Sequence, residues 1–520
     1  MRSFSLESET DRPSFPLDTQ GCIPGLTKNG RRVALRSLIE TFLHAEEDLA
    51  ITHPSPGTVV ACYELLLAIC HAAGLTPEDP DQWKEQVEER EPLTRVVDWL
   101  STPANRRLFD LFDPERPFGQ NILLAEHLDE HGYSPVQMVL ERAKDYNQFA
   151  DHVHLHNSEP MKAHDAFLAM ITQHCYGLGG RVMAPVKLFG KPFTYGSVAR
   201  LGTRVRVLAI GDSVADTLRL NLCPSDSGGT LNTTWTGNPK RRTFASNRET
   251  RPADGPADWH SALGRSILLR PRHAPGVPPG EMVVDRILLG AGESITVDAL
   301  ADHDTVYVNS RPLQASLSRA LWRDAHAIYG ASLDSSRGSS LFTLIAGLDR
   351  PIKLLAVGLD AVNTKVAGWV RDVFPYNPLR TGALFTAAKD GALLADEAVQ
   401  SVRRAAAVAC RYAYPGKSRE NTKTLMGRFD ASDEVWARAG APFHHLLEAV
   451  AGGTGAVDAL RDYAATMRRV ATEALDERLR PLPPNTRGWR AAVQARDELR
   501  HQLATKHMFA MYQEIADVTP

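Results

Sequence analysis

The chain has 520 residues, of which 43% are hydrophobic and 23% are charged, so it can bury a large core but is too long for only one, and we expect two or three domains. The formal net charge of −3 excludes a protein that coats nucleic acid by bulk charge, although it is compatible with a local basic groove. The six cysteines form no CxxC pair, so we expect neither a zinc site nor a disulfide framework. The first residues contain no apolar signal-peptide core, and no run of about 18 apolar residues occurs. We therefore expect a cytoplasmic protein without a membrane span.

The first 220 residues predict a mixture of strands, helices and turns. Asn29-Gly30 lies between two short apolar runs and predicts a β-hairpin, because both residues favour positive φ. Val59–Ala73 is mostly apolar and predicts a buried helix, whereas the aromatic, proline-broken segment Leu108–Gln120 predicts an ordered turn packed on the core. A helix follows residue 160 and ends at Gly177, and residues 200–222 predict a strand, a turn and a helix.

The remainder of the chain changes from loop and strand to helix. Residues 224–258 are rich in Ser, Gly, Thr, Asn, Pro and Arg and predict a long mobile loop, after which short β-like runs continue to Val308. An apolar run at Ile352–Leu359 precedes a helix-like run around Trp369. Beyond Gly382 the apolar spacing predicts four antiparallel helices, at Ala383–Tyr412, Asp433–Val450, Ala456–Leu479 and Trp489–Leu503. The predicted fold class is α+β, with a large mixed α/β N-terminal domain over residues 1–380 and a C-terminal four-helix bundle over residues 381–520.

Two motifs carry chemistry-bearing side chains. Gly211-Asp212-Ser213 resembles the start of a serine esterase motif, which would need an Asp/His pair and an oxyanion donor, and a structural turn is the simpler interpretation. The segment Asp151–Asn157 contains three histidines in alternation. Alternating histidines can bind a metal on a strand, but no carboxylate cluster with metal spacing accompanies them. An exposed polar loop and a loop that contacts nucleic acid therefore remain open as alternatives.

Two further features indicate backbone or phosphate contacts. Gly177–Arg181 holds three glycines within four positions but lacks the GK[ST] of a phosphate-binding loop. One glycine ends a helix, and the others predict either a plain turn or a backbone that approaches another group closely. The C-terminal helices carry many arginines, which predict either a solvated face or a surface that holds a phosphate backbone. These are Arg403, Arg404, Arg461, Arg468, Arg469, Arg490, Arg496 and Arg500.

Eight segments in chain order carry a resemblance to a known family. They are Cys22–Leu38, Leu108–Gln120, His154–Asn157 with the helix after it, Gly177–Gly180, Asp216–Asn221, Leu321–Asp324, Asn363–Trp369 and Asp433–Leu447. In this order and spacing they resemble the CasA family of the type I-E CRISPR Cascade complex. The resemblance covers nearly the whole chain and is weakest at residues 225–310.

The resemblance implies the large subunit of a surveillance complex that is guided by a CRISPR RNA (crRNA). Such a subunit recognises a short protospacer-adjacent motif (PAM) in target double-stranded DNA, mainly from the minor groove, and assists duplex opening and R-loop formation. It then recruits a helicase-nuclease for antiviral defence. The expected partners are other Cascade subunits, crRNA, target double-stranded DNA and the helicase-nuclease, with no membrane. No cofactor and no metal are expected, and because cleavage belongs to the partner, the chain itself is not expected to be an enzyme.

The resemblance also implies which residues contact nucleic acid. The glycine loop would let a DNA groove approach the backbone, and a strand-separating wedge falls at Asn363–Val366. In that wedge the chain has Thr364-Lys365 where the best-known family member has Asn-Gln. A DNA-sensing loop spans residues 144–157, and the bundle contributes two arginines. The candidates are Asn147, Gln148, His154, His156, Asn157, Gly177, Gly179, Gly180, Asn363, Thr364, Lys365, Arg468 and Arg469.

Two other functions compete with this one. A serine hydrolase would use Ser213 as its nucleophile and would act on esters as the isolated chain. A purely architectural helical scaffold would show no salt-dependent binding to DNA.

Overall fold

The computed structural model describes residues 12–29, 31–142, 160–181, 195–236, 250–273, 281–296, 299–334, 336, 338, 340–362, 365–416 and 424–513. The chain forms two compact units. We call the first the mixed unit; it comprises Met1–Arg319, Ser335–Leu348 and Ile352–Val373. We call the second the helical unit; it comprises Ala320–Asp334, Asp349–Pro351 and Phe374–Pro520. The boundary at residue 380 between independent domains stays a prediction.

The strands are β1 (Ile23–Thr27), β2 (Val33–Arg36), β3 (Asp48–Ile51), β4 (Met161–Lys162), β5 (Gly180–Arg181), β6 (Tyr195–Gly196), β7 (Arg206–Ile210), β8 (Thr250–Arg251), β9 (Arg265–His273), β10 (Met282–Ala291), β11 (Ser294–Ile295), β12 (Tyr307–Val308), β13 (Arg311–Pro312), β14 (Ile352–Val362) and β15 (Lys365–Tyr376). Among them are three-stranded sheets in the orders β2-β1-β3, β4-β10-β9 and β15-β14-β7, and the pairs β5-β6, β8-β11 and β12-β13.

The α-helices are α1 (Leu38–Leu43), α2 (Pro56–Ala72), α3 (Pro80–Glu88), α4 (Thr94–Ser101), α5 (Pro103–Arg106), α6 (Ala125–His131), α7 (Ala163–Tyr176), α8 (Val214–Leu220), α9 (Pro256–His260), α10 (Ala299–Asp302), α11 (Ala325–Ala331), α12 (Leu341–Ala346), α13 (Thr381–Ala413), α14 (Ser432–Ala451), α15 (Ala456–Leu479), α16 (Thr486–Thr505) and α17 (His507–Met511). The mixed and helical composition confirms the predicted α+β fold class. No helix in these described ranges is long and apolar enough to cross a membrane.

Helix α2 forms the centre of the mixed unit. It is buried over most of its length and packs against α7, α9 and β14. Its one acidic side chain, Glu64, accepts hydrogen bonds from Arg200, Arg206 and His260. Burial by itself would raise the pKa of Glu64, but Arg200, His260 and Arg206 together hold this pKa well below its ordinary value. The buried carboxylate is therefore retained as an anion by its partners.

Two predicted elements of the mixed unit are confirmed. Strands β1 and β2 pair in an antiparallel register from Ile23↔Arg36 to Leu26↔Val33, as the Asn-Gly turn predicts. The segment Leu108–Gln120 packs on the core, because its Phe118 ring lies 6.0 Å from Phe167 and 5.2 Å from Trp235, measured between ring centroids.

The long mobile loop predicted at residues 224–258 is wrong where the structure describes it. Trp235 is buried at 1% exposure, and Arg251 pairs with the buried Asp258 at 2.6 Å. An indole and an ion pair therefore anchor a segment whose composition alone predicts a loop. Residues 237–249 lie outside the described residues.

The helical unit contains the four predicted long helices. Helix α13 packs against α14, α15 and α16, and α14 packs against α15. Arg490 over the ring of Tyr412 and Lys506 bonded to Gln400 show that α16 runs antiparallel to α13. Helix α16 begins at Thr486, three residues before the predicted start, because the side chain of Asn485 accepts the backbone N–H of Gly488 and caps the helix.

Candidate nucleic-acid interface

The predicted glycine loop is one arm of a short two-stranded ribbon. Gly177 ends α7 by donating its N–H to Gln173 O, and its own carbonyl accepts the N–H of Ala199 at 2.8 Å. Gly180 then pairs with Gly196 of β6 in an antiparallel register. We call residues 177–181 and 195–199 the glycine ribbon. The strand pairing makes it an ordered feature of the mixed unit.

The three glycines of the first arm, residues 177–181, are constrained by the fold to different degrees. A Cβ atom on Gly177 would lie 2.7 Å from Gln173 O, and Gly180 has a φ of +120°, which L side chains rarely adopt. A Cβ atom on Gly179 would lie 2.8 Å from Cγ2 of Val198, a side chain that is 41% exposed and can move. Helix termination and backbone conformation therefore account for Gly177 and Gly180. Gly179 is the position where a larger side chain is best tolerated by the fold.

A buried arginine lies directly behind the glycine ribbon. The guanidinium of Arg265, the first residue of β9, donates to the carbonyls of Leu178 and Ser197 on the two arms of the ribbon, and to Gly264 O. The side chain is buried, and burial lowers the pKa of Arg265 to about 10, so the group stays charged at neutral pH. Sequence analysis missed this residue. Its only signal in the sequence is a charged side chain two residues before the apolar run Ile267–Leu269.

The predicted wedge lies at the end of a long β-hairpin. Strands β14 and β15 are neighbours in one sheet and are separated along the chain only by residues 363 and 364. Asn363 and Thr364 lie outside the described residues, and Lys365 is the exposed first residue of β15. The helix-like run predicted around Trp369 is therefore wrong, because this segment is a strand. Its valines at 366, 370 and 373 favour extended backbone, and pairing with β14 supplies the hydrogen bonds.

Trp369 fastens this hairpin to the remainder of the mixed unit. Its ring meets the ring of Tyr176 edge-to-face, with centroids 4.8 Å apart, and its Nε1–H donates to the carboxylate of Glu141. Tyr176 immediately precedes the glycine ribbon. Trp369 therefore connects the hairpin to the residue that immediately precedes the ribbon, a connection that sequence analysis did not find.

A cleft of about 830 Å³ opens beside Trp369. Its lining includes His53, Glu141, Asp165 and Thr172, together with the chain on both sides of residues 143–159. The predicted DNA-sensing loop falls within that stretch, so its candidates lie outside the described residues. These are Asn147, Gln148, His154, His156 and Asn157.

The two candidate arginines of the helical unit differ in their contacts. Arg468 donates to Phe509 O at 2.9 Å and stacks over the Phe509 ring, so it holds α17 against α15. Burial lowers the pKa of Arg468. Arg469 is exposed, and its one ion pair with a residue that the structure describes is an i,i+4 pair with Glu473 at 3.2 Å. Of the two, Arg469 has the side chain that can reach an external phosphate without loss of a packing contact.

Most other arginines of these helices have acidic neighbours in the described part of the chain. The pairs are Arg403 with Asp430, Arg461 with Asp458, Arg496 with Asp476 and Arg500 with Asp497. Arg490 instead stacks over Tyr412. The pairing favours a solvated, charge-balanced surface over much of this unit.

Ser213 has the contacts of a helix cap. Its hydroxyl accepts the backbone N–H of Asp216 at the start of α8 and donates to the carboxylate of Glu46. Histidine, the general base that a serine nucleophile needs, is not among the hydrogen-bond partners of Ser213 in the described structure. In the same ranges, no group of three or more His, Cys, Asp or Glu side chains is arranged to hold a metal ion. This geometry does not support the hydrolase.

The fold defines a two-unit α+β protein that carries a glycine ribbon and a long β-hairpin on one unit and four long helices in the other. The family model of the CRISPR-associated protein Cse1 matches residues 19–474, and the chain therefore belongs to the Cse1 family. CRISPR-associated protein CasA/Cse1 of Thermus thermophilus is 26% identical over 397 residues, which are 69% of this chain and 70% of that protein. The resemblance to the CasA family is thus confirmed.

Solved structures share the fold. Cse1 from Acidimicrobium ferrooxidans superposes with a TM-score of 0.75 at 19% identity, covering 96% of this chain and 98% of that one. A chain of a CRISPR RNA-guided surveillance complex superposes with a TM-score of 0.68 at 18% identity, covering 94% of this chain and 100% of the other.

Proposed function

We propose that this chain is the large subunit of a type I-E Cascade complex guided by crRNA. In this role it recognises the PAM in target double-stranded DNA, assists duplex opening and R-loop formation, and recruits the helicase-nuclease that cuts. Its partners are the other Cascade subunits, crRNA and the target DNA. Family membership over residues 19–474 is the observation that carries the proposal, supported by the fold shared with a chain of a CRISPR RNA-guided surveillance complex.

The geometry of the mixed unit supports a division of labour in this function. A glycine backbone admits base edges where a side chain would collide, so the glycine ribbon suits contact with a groove. A rigid hairpin suits a wedge, because unstacking base pairs costs a few kcal/mol and a flexible element would bend instead. Lys365 is exposed beside the hairpin end. In this proposal it holds a phosphate or presses on the first base pair. Pairing with the guide then supplies sequence specificity.

Co-purification tests the assignment to a complex. A tagged chain expressed with the other subunits and a repeat array is expected to elute with crRNA and the small subunits. The assembled complex is then expected to bind a duplex that carries the PAM more tightly than one that lacks it. An architectural scaffold would co-purify but show no salt-dependent, PAM-dependent binding. A chain that elutes alone and without RNA would contradict the assignment.

Gly179→Asp tests the role of the ribbon. We expect it to abolish PAM-dependent binding while the complex still assembles, because the carboxylate would face phosphates and the two atoms closest to the added Cβ belong to Val198, which is exposed. Gly179→Ala is the control, since it adds the same Cβ atom without charge and should lose much less affinity. Normal affinity of Gly179→Asp in an electrophoretic shift would show that the glycines serve only the turn.

A further inference from the structure

Arg265 differs from the other buried arginines that the structure describes in the mixed unit. Arg200 and Arg206 pair with Glu64, Arg204 pairs with Asp304, and Arg219 pairs with Glu46. Arg265 is equally buried, at 3% exposure, yet its hydrogen-bond partners are three backbone carbonyls and no carboxylate. A buried guanidinium without a counter-ion is costly, and a neutral donor would satisfy carbonyls at lower cost. The charge therefore calls for an explanation beyond packing.

The position of this cation is defined by the two arms of the glycine ribbon. A Cβ atom on Gly177 would lie 2.8 Å from Nε of Arg265, and one on Gly196 would lie 3.1 Å from Nη1. The guanidinium thus lies immediately behind the backbone of both arms. Its fork reaches Ser197 O at 2.8 Å on one arm and Leu178 O on the other, so a single side chain fixes the two arms relative to each other.

These hydrogen bonds also determine which way the ribbon peptides face. In a trans peptide the C=O and the N–H point in opposite directions. Because Leu178 O points towards Arg265, the N–H of Gly179 points away from it. Gly179 is partly exposed, and its N–H donates no hydrogen bond within the part of the chain that the structure describes. A backbone N–H that points away from a buried positive charge, in a partly exposed residue, is a receptive arrangement for an anion.

We propose that Arg265 is a positioning residue for target recognition: it holds the glycine ribbon with the Gly179 N–H pointing away from the guanidinium, and it supplies a positive charge directly behind the surface that meets the DNA groove and its phosphates. This inference rests on the proposed function, because it assigns the ribbon's partner as duplex DNA. Arg265 does not touch DNA itself and acts through the ribbon. A charge held inside the protein is screened by salt much less than an exposed lysine.

Two substitutions separate the charge from the hydrogen bonds. Arg265→Lys keeps the charge but loses the two guanidinium donors that reach both arms, whereas Arg265→Gln keeps a donor but loses the charge. In the free chain, hydrogen exchange of segments 177–181 and 195–199 should rise about tenfold in both variants as the arms come apart. In the assembled complex, Arg265→Gln should lose about tenfold or more in affinity for the PAM duplex, and Arg265→Lys should recover a large part of that loss.

Arg219→Lys is the matched control, because Arg219 is as buried but bonds to Glu46 and Glu91 O, away from the ribbon. It should lower thermal stability without faster exchange in the ribbon. If Arg265→Lys and Arg265→Gln bind the PAM duplex with equal affinity, the charge has no role. If hydrogen exchange in the ribbon is unchanged in both variants, Arg265 does not position the ribbon. If Gly179→Asp lowers PAM-dependent binding while both Arg265 variants bind normally, only this inference fails. If Gly179→Asp also binds normally, the proposed function of the ribbon fails.

Discussion

Whether a buried titratable side chain in this protein is charged or neutral depends on the charges and hydrogen-bond partners around it. Glu64 stays ionised because Arg200, His260 and Arg206 stabilise its charge, whereas His174 on α7 is buried and its Nε2 lies 2.9 Å from the carbonyl oxygen of Gly119. Its Nδ1 has no partner among the described residues. Burial therefore lowers the pKa of His174 to about 4, and the imidazole is neutral in the folded chain.

His174 predicts a loss of stability in acid. The unfolded chain binds a proton at this histidine below about pH 6.5, while the folded chain resists it down to about pH 4, so stability present above pH 6.5 is lost as the pH falls through this window. The expected loss is about 3 kcal/mol of unfolding free energy by pH 4. In urea titrations from pH 7 to pH 4.5, His174→Gln should flatten this dependence, whereas the exposed His501→Gln should not. Parallel curves for wild type and His174→Gln would contradict the assignment.

Residues on the same helix or hairpin differ in whether they pack within the protein or extend into solvent. On α15, Arg468 fastens α17 through Phe509, while Arg469 extends into solvent beside Glu473. On the β14–β15 hairpin, Trp369 is anchored between Tyr176 and Glu141, while Lys365 is exposed. In each element the anchored residue packs against another part of the protein, and the exposed residue is available to a partner.

Arg469→Ala should weaken binding of the complex to target DNA by a similar factor for all PAMs and reduce the salt slope by about one, because phosphate contacts position without specifying. Its stability should stay within about 0.5 kcal/mol of wild type. Arg468→Ala is the contrasting variant and should cost about 1 kcal/mol or more in urea unfolding, since it loses a hydrogen bond and a stacked ring. An unchanged salt slope for Arg469→Ala would show that this face is only solvated.

Lys365→Ala, alone or with Thr364→Ala, should spare binding to the PAM duplex but slow opening of the base pairs beside it. A target already mismatched next to the PAM should restore the rate, because the unstacking cost has been removed in advance. Lys353→Ala is the control, since Lys353 is an exposed lysine on β14, at the other end of the same hairpin. Permanganate footprinting with equal opening rates for Lys365→Ala and wild type would rule out the wedge.

Across the whole molecule, elements with a periodic apolar pattern are predictable from the sequence, whereas single residues with unusual contacts are not. The four long helices follow from apolar spacing, and the β1–β2 hairpin follows from Asn29-Gly30. The strand around Trp369 is predicted wrongly as a helix because the apolar spacing within one segment does not show that the segment pairs with the strand before it, β14. Arg265 is not predictable from the sequence, because a charged residue predicts an exposed side chain and the carbonyls that bind this guanidinium come from distant segments.

We expect the isolated chain to bind DNA weakly and to show no catalytic activity. With a net charge of −3 it lacks bulk attraction for phosphate, so we expect a dissociation constant above about 10⁻⁶ M for a PAM duplex until the other subunits are present. Assays for esterase, ATPase and nuclease activity should stay at background. Esterase activity that disappears in Ser213→Ala would revive the hydrolase. Metal-dependent cleavage of DNA that persists in that variant would contradict a non-catalytic subunit.

The contact between Gly57 and Trp369 has a consequence for how this sequence can diverge. A Cβ atom on Gly57 would lie 2.0 Å from Cη2 of the indole, so position 57 cannot gain even a methyl group while Trp369 keeps its place. The two positions are complementary in volume although they lie 312 positions apart along the chain. A relative that enlarges the first must shrink the second, and a designer who repacks the hairpin must change both together. Gly57 thus limits evolutionary substitution at the hairpin from the start of a distant helix.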